Sequence, residues 1–341
     1  MLGSGTCLLI YAWARDLFGW RIAALCGCLA ALYTGLFLYD GWLYTESLYT
    51  FCLLGFTYAL FRVQRLKCLS RPALLTRRML DWRWPITAAC FLAAAILTRP
   101  NGSGLLGVLV VWMLFLPLLK ILSWRAALQH AVLIALLALL LVLPWTYRNY
   151  QATGRLVLVA TGMGEVLVGV YNDGVLSGPP DSRGFWSPPR GTPIHDETNY
   201  TPDEDKQQSA KALAWVRTHL AALPTIIGLH FINMWKPYTY SHGLPLEQFP
   251  ARLSSKILLI LIPIQAIPTF LLGATGLLVT WKQRKKELLI LYLVLAYTIL
   301  QNMAFYSTMR FRFPIEPLLI ICIGGACYAG LAVLKARRMP G

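Results

Sequence analysis

Charge is what this sequence has least of. Only 13% of its 341 residues are Asp, Glu, Lys or Arg, against about a quarter in soluble globular domains. That shortfall excludes a soluble enzyme and a disordered chain. Acids are scarcer than bases, with 15 against 31. Ahead of residue 160 the acids are Asp16, Asp40, Glu46 and Asp81 and no others. The eight cysteines form no Cys-x-x-Cys or Cys/His pattern of zinc spacing. Seven of them lie in apolar runs and Cys68 lies in a basic loop, so they read as small apolar side chains and not as a disulfide scaffold. His130, His195, His219, His230 and His242 show no i, i+4 pairing, and no metal site is read from them.

What fills the sequence is apolar. Hydrophobic residues make up 57%, and the mean hydropathy is +0.56. Nine apolar segments stand out, at about 2–13, 22–39, 46–61, 85–98, 103–119, 126–146, 256–281, 288–305 and 316–334. A membrane span takes about 20 apolar residues, so the first segment is short and the fourth needs its flanks. Helix is the expected form, because a lone strand in lipid leaves its backbone groups unpaired. The expected fold class is therefore an all-α polytopic membrane protein with about nine transmembrane helices. The organisation has three parts: spans over 1–146, an outer segment over 147–255, and spans with a basic tail over 256–341.

Basic residues set the orientation. Arg62, Arg65, Lys67, Arg71, Arg77, Arg78 and Arg83 face one acid, Asp81, within 62–83. Lys282, Arg284, Lys285 and Lys286 crowd the loop before the eighth span, and Lys335, Arg337 and Arg338 the tail. Placing these on the cytoplasmic side and alternating the spans also puts Arg15, Arg21, Lys120 and Arg125 inside. Trp20, Trp82, Trp84, Trp124 and Trp281 then mark inner boundaries, and Trp42 and Trp145 outer ones. The net charge of +16 is explained by topology and calls for no nucleic acid. Nine spans ending inside put Met1 outside. The expectation is a chain lacking an N-terminal hairpin, one more span with its outer loop. The alternative is that 2–13 is not a span.

The outer segment reads as two strand-like runs, Arg155–Ala160 and Val166–Val170, followed by a Pro/Gly-rich loop from Gly178 to Gly191. The acids Asp196, Glu197, Asp203, Glu204 and Asp205 read as a solvated loop or helix N-terminus. A run from about 207 to 235 is expected to be an amphipathic helix that lies on the outer leaflet or dips into it. Asn199-Tyr200-Thr201 is a glycosylation sequon, relevant only in a eukaryotic secretory host.

Candidate chemistry gathers at the outer boundary. Asp40 and Glu46 flank residues 41–45 between the second and third spans. An acid near hydrocarbon is costly, which makes it a functional candidate, although a helix N-terminus also favours one. Arg99, Arg148, Arg310 and Arg312 return to the same boundary from distant parts of the chain. Arginine offers a planar fork that grips phosphate oxygens in pairs. Two acids and four arginines at one surface suit a lipid-linked phosphate entering from the bilayer.

The order of several short motifs completes the picture. They are Arg15 to Arg21, Tyr44–Ser47, Leu-Thr-Arg-Pro at 97–100, Pro-Trp-Thr-Tyr-Arg-Asn-Tyr at 144–150, Gly-Arg-Leu-Val at 154–157, and Arg-Phe-Arg-Phe-Pro-Ile-Glu-Pro at 310–317. In these the chain resembles the GT-C superfamily of polytopic glycosyltransferases, near the protein mannosyltransferase and lipid A aminoarabinose transferase type. The resemblance implies a polyprenyl-phosphate sugar as donor. It implies a lipid, glycan or protein acceptor hydroxyl and inverting transfer on the outer side. Arg side chains or a divalent metal would stabilise the departing phosphate. The family's principal acid would lie in the hairpin expected upstream. Glu46 matches the acid at the head of the third span, Asp40 is the second catalytic candidate, and Arg99, Arg148, Arg310 and Arg312 carry over as donor-phosphate ligands. A lipid-linked substrate transporter or flippase, a polysaccharide polymerase or ligase, and a non-catalytic scaffold are the competing classes. A transporter is expected to show internal repeats and Gly/Pro-broken helices with charges near midplane; the sequence shows no repeat, and its ionisable residues gather at the boundaries. Cysteine-accessibility labelling from the two sides of sealed vesicles is expected to find 62–83 and the Arg310 neighbourhood on opposite sides.

Overall fold

The computed structural model describes residues 1–41, 44–68, 82–179, 182–189, 200–237, 252–305 and 308–337. The basic stretch 69–81, Trp42, His195, Asp196, Glu197, Asn199 and His242 lie outside the described residues. Among those described there is no strand. Each of the nine apolar segments falls in helix: α1 (Leu2–Phe18), α2 (Trp20–Leu32) with α3 (Thr34–Gly41), α4 (Thr45–Cys68), α5 (Arg83–Thr98), α6 (Leu105–Leu118), α7 (Trp124–Thr153), and later α12 (Arg252–Arg284), α13 (Leu289–Phe305) and α15 (Glu316–Arg337). Among the described residues, four helices are long and apolar enough to cross a membrane, or six if each of two bent pairs is one span. The chain is a multi-pass integral membrane protein, and the count of nine spans is not reached by length and composition.

The chain divides into two compact units. The first holds Met1–Leu141, Phe249–Tyr297 and Phe313–Gly341. Its helices meet through small residues, as expected where lipid gives no hydrophobic drive to association. On α12, Gly273 and Gly276 face Leu319 and Cys322 of α15, and a Cβ at Gly276 would overlap the Cys322 carbonyl. Only hydrogen fits there. Gly19, at φ 88°, turns the chain between α1 and α2. Trp13 of α1 packs on Phe61 of α4 with ring centroids 5.5 Å apart. Asp16, Arg62 and Arg65, all assigned to the inner side from sequence, form one cluster: Asp16 lies 3.0 Å from Arg62 and 3.4 Å from Arg65.

The second apolar segment is not one continuous helix. It breaks at Tyr33, whose backbone is extended, and α3 leaves α2 at 58°. Such a break opens backbone groups that lipid cannot satisfy. Gln265 of α12 closes it from both sides. Its Oε1 accepts from Thr34 N–H at 2.6 Å and its Nε2 donates to the Leu32 carbonyl at 3.1 Å.

The second unit holds Val142–Gln248 and Thr298–Arg312. It contains the end of α7, then α8 (Met163–Val170), α9 (Gly174–Ser177), α10 (Pro202–Thr218), α11 (Leu223–Trp235), the end of α13, and α14 (Met309–Arg312). The strand expected at Val166–Val170 is helix. A short apolar run has no period that separates the two forms, and here a helix start decides it. Gly162 stands in the left-handed region. Asp205 Oδ1 accepts from Gly162 N–H at 3.0 Å and Gly164 N–H at 2.7 Å. Residues 155–160 are neither strand nor helix. Asp203, Glu204 and Asp205 form the first turn of α10, behind a capping box between Thr201 and Glu204. The single amphipathic helix expected over 207–235 is a bent pair instead, with α10 and α11 meeting at 85°. Burial beside Asp205 raises the Tyr200 hydroxyl pKa above its ordinary value, desolvation being the larger cause.

Gly276→Ala is expected to force α12 from α15 and cost about 1–3 kcal/mol of stability, read as a lower unfolding midpoint of the detergent-solubilised protein.

Candidate functional site

Three polar side chains in the first two turns of α4 are buried. Glu46 has no exposed surface, Ser47 5% and Thr50 1%. A helix N-terminus favours a carboxylate there. Glu46 Oε1 lies 3.1 Å from an Arg99 Nη. The Ser47 and Thr50 hydroxyls have no hydrogen-bond partner among the described residues. Burying a hydroxyl without a hydrogen bond is costly.

Arg99 is delivered by the local sequence. Pro100 disfavours helical backbone at the residue before it, and Arg99 is extended, at φ −146° and ψ 131°. It therefore ends α5 and leaves the helix axis. Its carbonyl accepts from Gly102 N–H at 2.8 Å, which folds 100–104 into a 3-10 turn. Tyr297 clamps that turn through a 2.5 Å bond to the Asn101 carbonyl. The guanidinium also stands 5.9 Å from the Tyr49 ring centroid. A single arginine thus binds the buried acid, lies on an aromatic face, and keeps 15% of its side chain exposed.

Asp40 has a different setting. Its Oδ2 accepts from Gly3 N–H of α1 at 2.6 Å, and it lines a cavity of about 620 Å³ with Gly3, Cys7, Tyr11, Gly27 and Cys28. Its carboxylate holds a helix start. Glu316, which sequence reasoning passed over, is 3% exposed at the head of α15. A Cβ on Gly35 would come 2.9 Å from its Oε2.

The remaining arginines belong to the second unit. Arg148, near the end of α7, is exposed. It rests 4.9 Å above the Trp145 ring and donates to Asn149 Oδ1 at 3.2 Å. Arg310 and Arg312 both lie on α14 but play different parts. Arg312 is 1% exposed and donates to the Met234 and Lys236 carbonyls at 2.7 and 2.8 Å. It closes the C-terminal end of α11, where a cation suits the helix dipole. Arg310 is half-buried beside Phe311. His230, on α11, is fully buried; its Nδ1 faces the Met303 carbonyl at 2.8 Å, and its Nε2 has no partner among the described residues. A lone histidine gives no pattern in sequence, so this group was not legible there.

The structure therefore brings Glu46 and Arg99 together, adds Ser47 and Thr50, and separates the roles of Arg310 and Arg312. Among the described residues, no group of three or more His, Cys, Asp or Glu side chains could hold a metal ion.

No protein-family model and no curated protein sequence matches the chain. Two solved structures from Archaeoglobus fulgidus are similar in fold. One is the oligosaccharyltransferase AglB in complex with an inhibitory peptide and a dolichol-phosphate, with a TM-score of 0.55 and 13% identity. The other is the oligosaccharyltransferase in its apo form, with a TM-score of 0.52 and 14% identity. Each match covers 98% of this chain and 39% of the other, so the chain spans well under half their length. The likeness is one of fold. It singles out neither the mannosyltransferase nor the aminoarabinose transferase type. Arg99→Ala, which removes the guanidinium beside a buried acid, is expected to cost about 3–5 kcal/mol, and Glu46→Gln in the same chain to restore part of it. Denaturant unfolding of the two variants and the double variant checks this.

Proposed function

We propose that the chain is a membrane glycosyltransferase of GT-C type, moving a sugar from a polyprenyl-phosphate donor to an acceptor hydroxyl. Transfer is on the outer side of a nine-span topology and inverts the anomeric carbon. The observation that carries this reading is the buried Glu46–Arg99 pair at a helix head, 3.1 Å across, with the buried Ser47 and Thr50 hydroxyls on the same helix. The fold supports it, since the similar AglB structure holds a dolichol-phosphate.

In this reading Arg99 is the pivotal cation. A donor phosphate competes with Glu46 for its guanidinium. Once Arg99 turns to the phosphate, Glu46 Oε1 can accept a hydrogen bond from the acceptor hydroxyl, and Ser47 and Thr50 hold sugar or phosphate oxygens. The acceptor oxygen forms its bond to the anomeric carbon as the carbon–oxygen bond to phosphate breaks. The hydroxyl proton passes to a carboxylate, and the negative charge grows on the phosphate. Arg148 and Arg310, of the second unit, are kept as proposed donor-phosphate ligands on the sequence resemblance alone. Arg312 acts at one remove, by fixing the end of α11. Asp40 acts through α1, whose first turn it holds.

The break at Tyr33 is the feature a lipid transporter would share. Turnover separates the two, since a transporter leaves the donor's glycosidic bond intact. With full-length protein in liposomes and a polyprenyl-phosphate sugar, Arg99→Ala and Glu46→Gln are each expected to lower kcat/KM by about 100-fold or more. Arg148→Ala is expected to act mainly on KM for the donor. Undiminished transfer in all three variants removes the site.

A further inference from the structure

Arg99 owes its place to the residues that follow it. It leaves α5 as extended backbone, and Pro100 after it has no N–H to offer. Its own amide is tied back to α5, donating to the Ala95 carbonyl at 3.0 Å. On the other side it is held by the 3-10 turn Pro100–Gly104. That turn carries bonds of its own. Ser103 Oγ donates to the Pro100 carbonyl at 2.7 Å, and Leu105 N–H to the Gly102 and Ser103 carbonyls. Bonds within a turn fix its shape. They do not fix where it stands.

Its stance is set at two glycines. A Cβ on Gly102 would lie 2.6 Å from the carbonyl carbon and oxygen of Ala95, so the turn rests backbone to backbone on the last turn of α5. A Cβ on Gly104 would overlap the Tyr297 hydroxyl. With glycine there, that hydroxyl reaches past it and donates to the Asn101 carbonyl at 2.5 Å. Tyr297 is on α13, 196 residues from Asn101, so this bond ties the turn to a distant helix. At the head of the turn the Arg99 guanidinium stands 3.1 Å from Glu46 and 5.9 Å from the centre of the Tyr49 ring. Glu46, Tyr49, Arg99, the turn and Tyr297 all lie in the first unit.

We infer that Tyr297 is a positioning residue for Arg99. Its hydroxyl holds the turn, and the turn holds the guanidinium at Glu46. Tyr297 touches no substrate in this role. Without the hydroxyl the turn keeps its internal bonds and shifts as a body, and a misplacement of about 1 Å is enough to cost much of an enzyme's rate. The consequence for a donor phosphate rests on the sugar-transfer reading; the placing of Arg99 does not.

The test is a pair of double-variant cycles. In denaturant unfolding of the detergent-solubilised chain, Tyr297→Phe is expected to shift the unfolding constant by about tenfold in the parent. In the Arg99→Ala chain, where no guanidinium is left to place, the shift is expected to fall to about threefold or less. A tyrosine with a merely structural part gives equal shifts in both chains, and that result overturns the inference. In liposomes with a polyprenyl-phosphate sugar, Tyr297→Phe is expected to lower kcat/KM by about tenfold in the parent, and by less than about twofold on the residual rate of Arg99→Ala. Gly104→Ala displaces the same hydroxyl without removing it. It is expected to lower transfer as Tyr297→Phe does, and the two together to be no worse than either alone. Losses that multiply overturn the inference, and so does full transfer by Tyr297→Phe beside an active parent. A parent that transfers no sugar removes the glycosyltransferase reading instead, and the unfolding cycle then decides the placing of Arg99 by itself.

Discussion

A chain this poor in charge, folded in a medium without water, must satisfy its own polar groups. That constraint organises the whole molecule. Each unsatisfied backbone group in lipid costs several kcal/mol, so every break in a helix needs a named partner. Gln265 answers the break at Tyr33 with both ends of its amide. Arg312 answers the end of α11. Asp205 answers the start of α8, and Asp40 the start of α1.

Against that background the opening of α4 stands apart. Glu46 and Arg99 hold each other, while Ser47 and Thr50 hold nothing in the described protein. Asp40 and Asp205 bind backbone amides, and Asp16 pairs with arginines that are about 30% exposed. Glu46 has no exposed surface, and its arginine keeps 15% of its side chain exposed. A phosphate is the kind of ligand that can take a guanidinium from a carboxylate, because it offers more oxygens and more charge.

Much of this was visible in the sequence, and the rest was hidden for definite reasons. The apolar runs marked every long helix, because span length is a property of composition. Glu46 and Arg99 stood out singly, since acids are rare before residue 160 and Pro100 forces Arg99 off its helix. Their pairing did not show, because contacts between residues 53 positions apart leave no local trace. Tyr33 is not a helix breaker by type, and the residue that permits the break lies on another helix. Val166–Val170 is short enough to pass as a strand, and the deciding caps, Gly162 and Asp205, lie outside it. Arg310 and Arg312 look equivalent in a run of alternating arginine and phenylalanine. Only the position of α11 tells them apart.

Gln265 has one more implication. Its amide grips the last carbonyl of α2 and the first amide of α3 at once, so α12 is geared to the bend. Were α12 to rotate about its axis, both grips would slip together and the elbow would either straighten or fill with solvent. The fold thus carries a mechanical interlock, in which the pose of the segment bearing Asp40 is slaved to the orientation of a helix more than two hundred residues downstream.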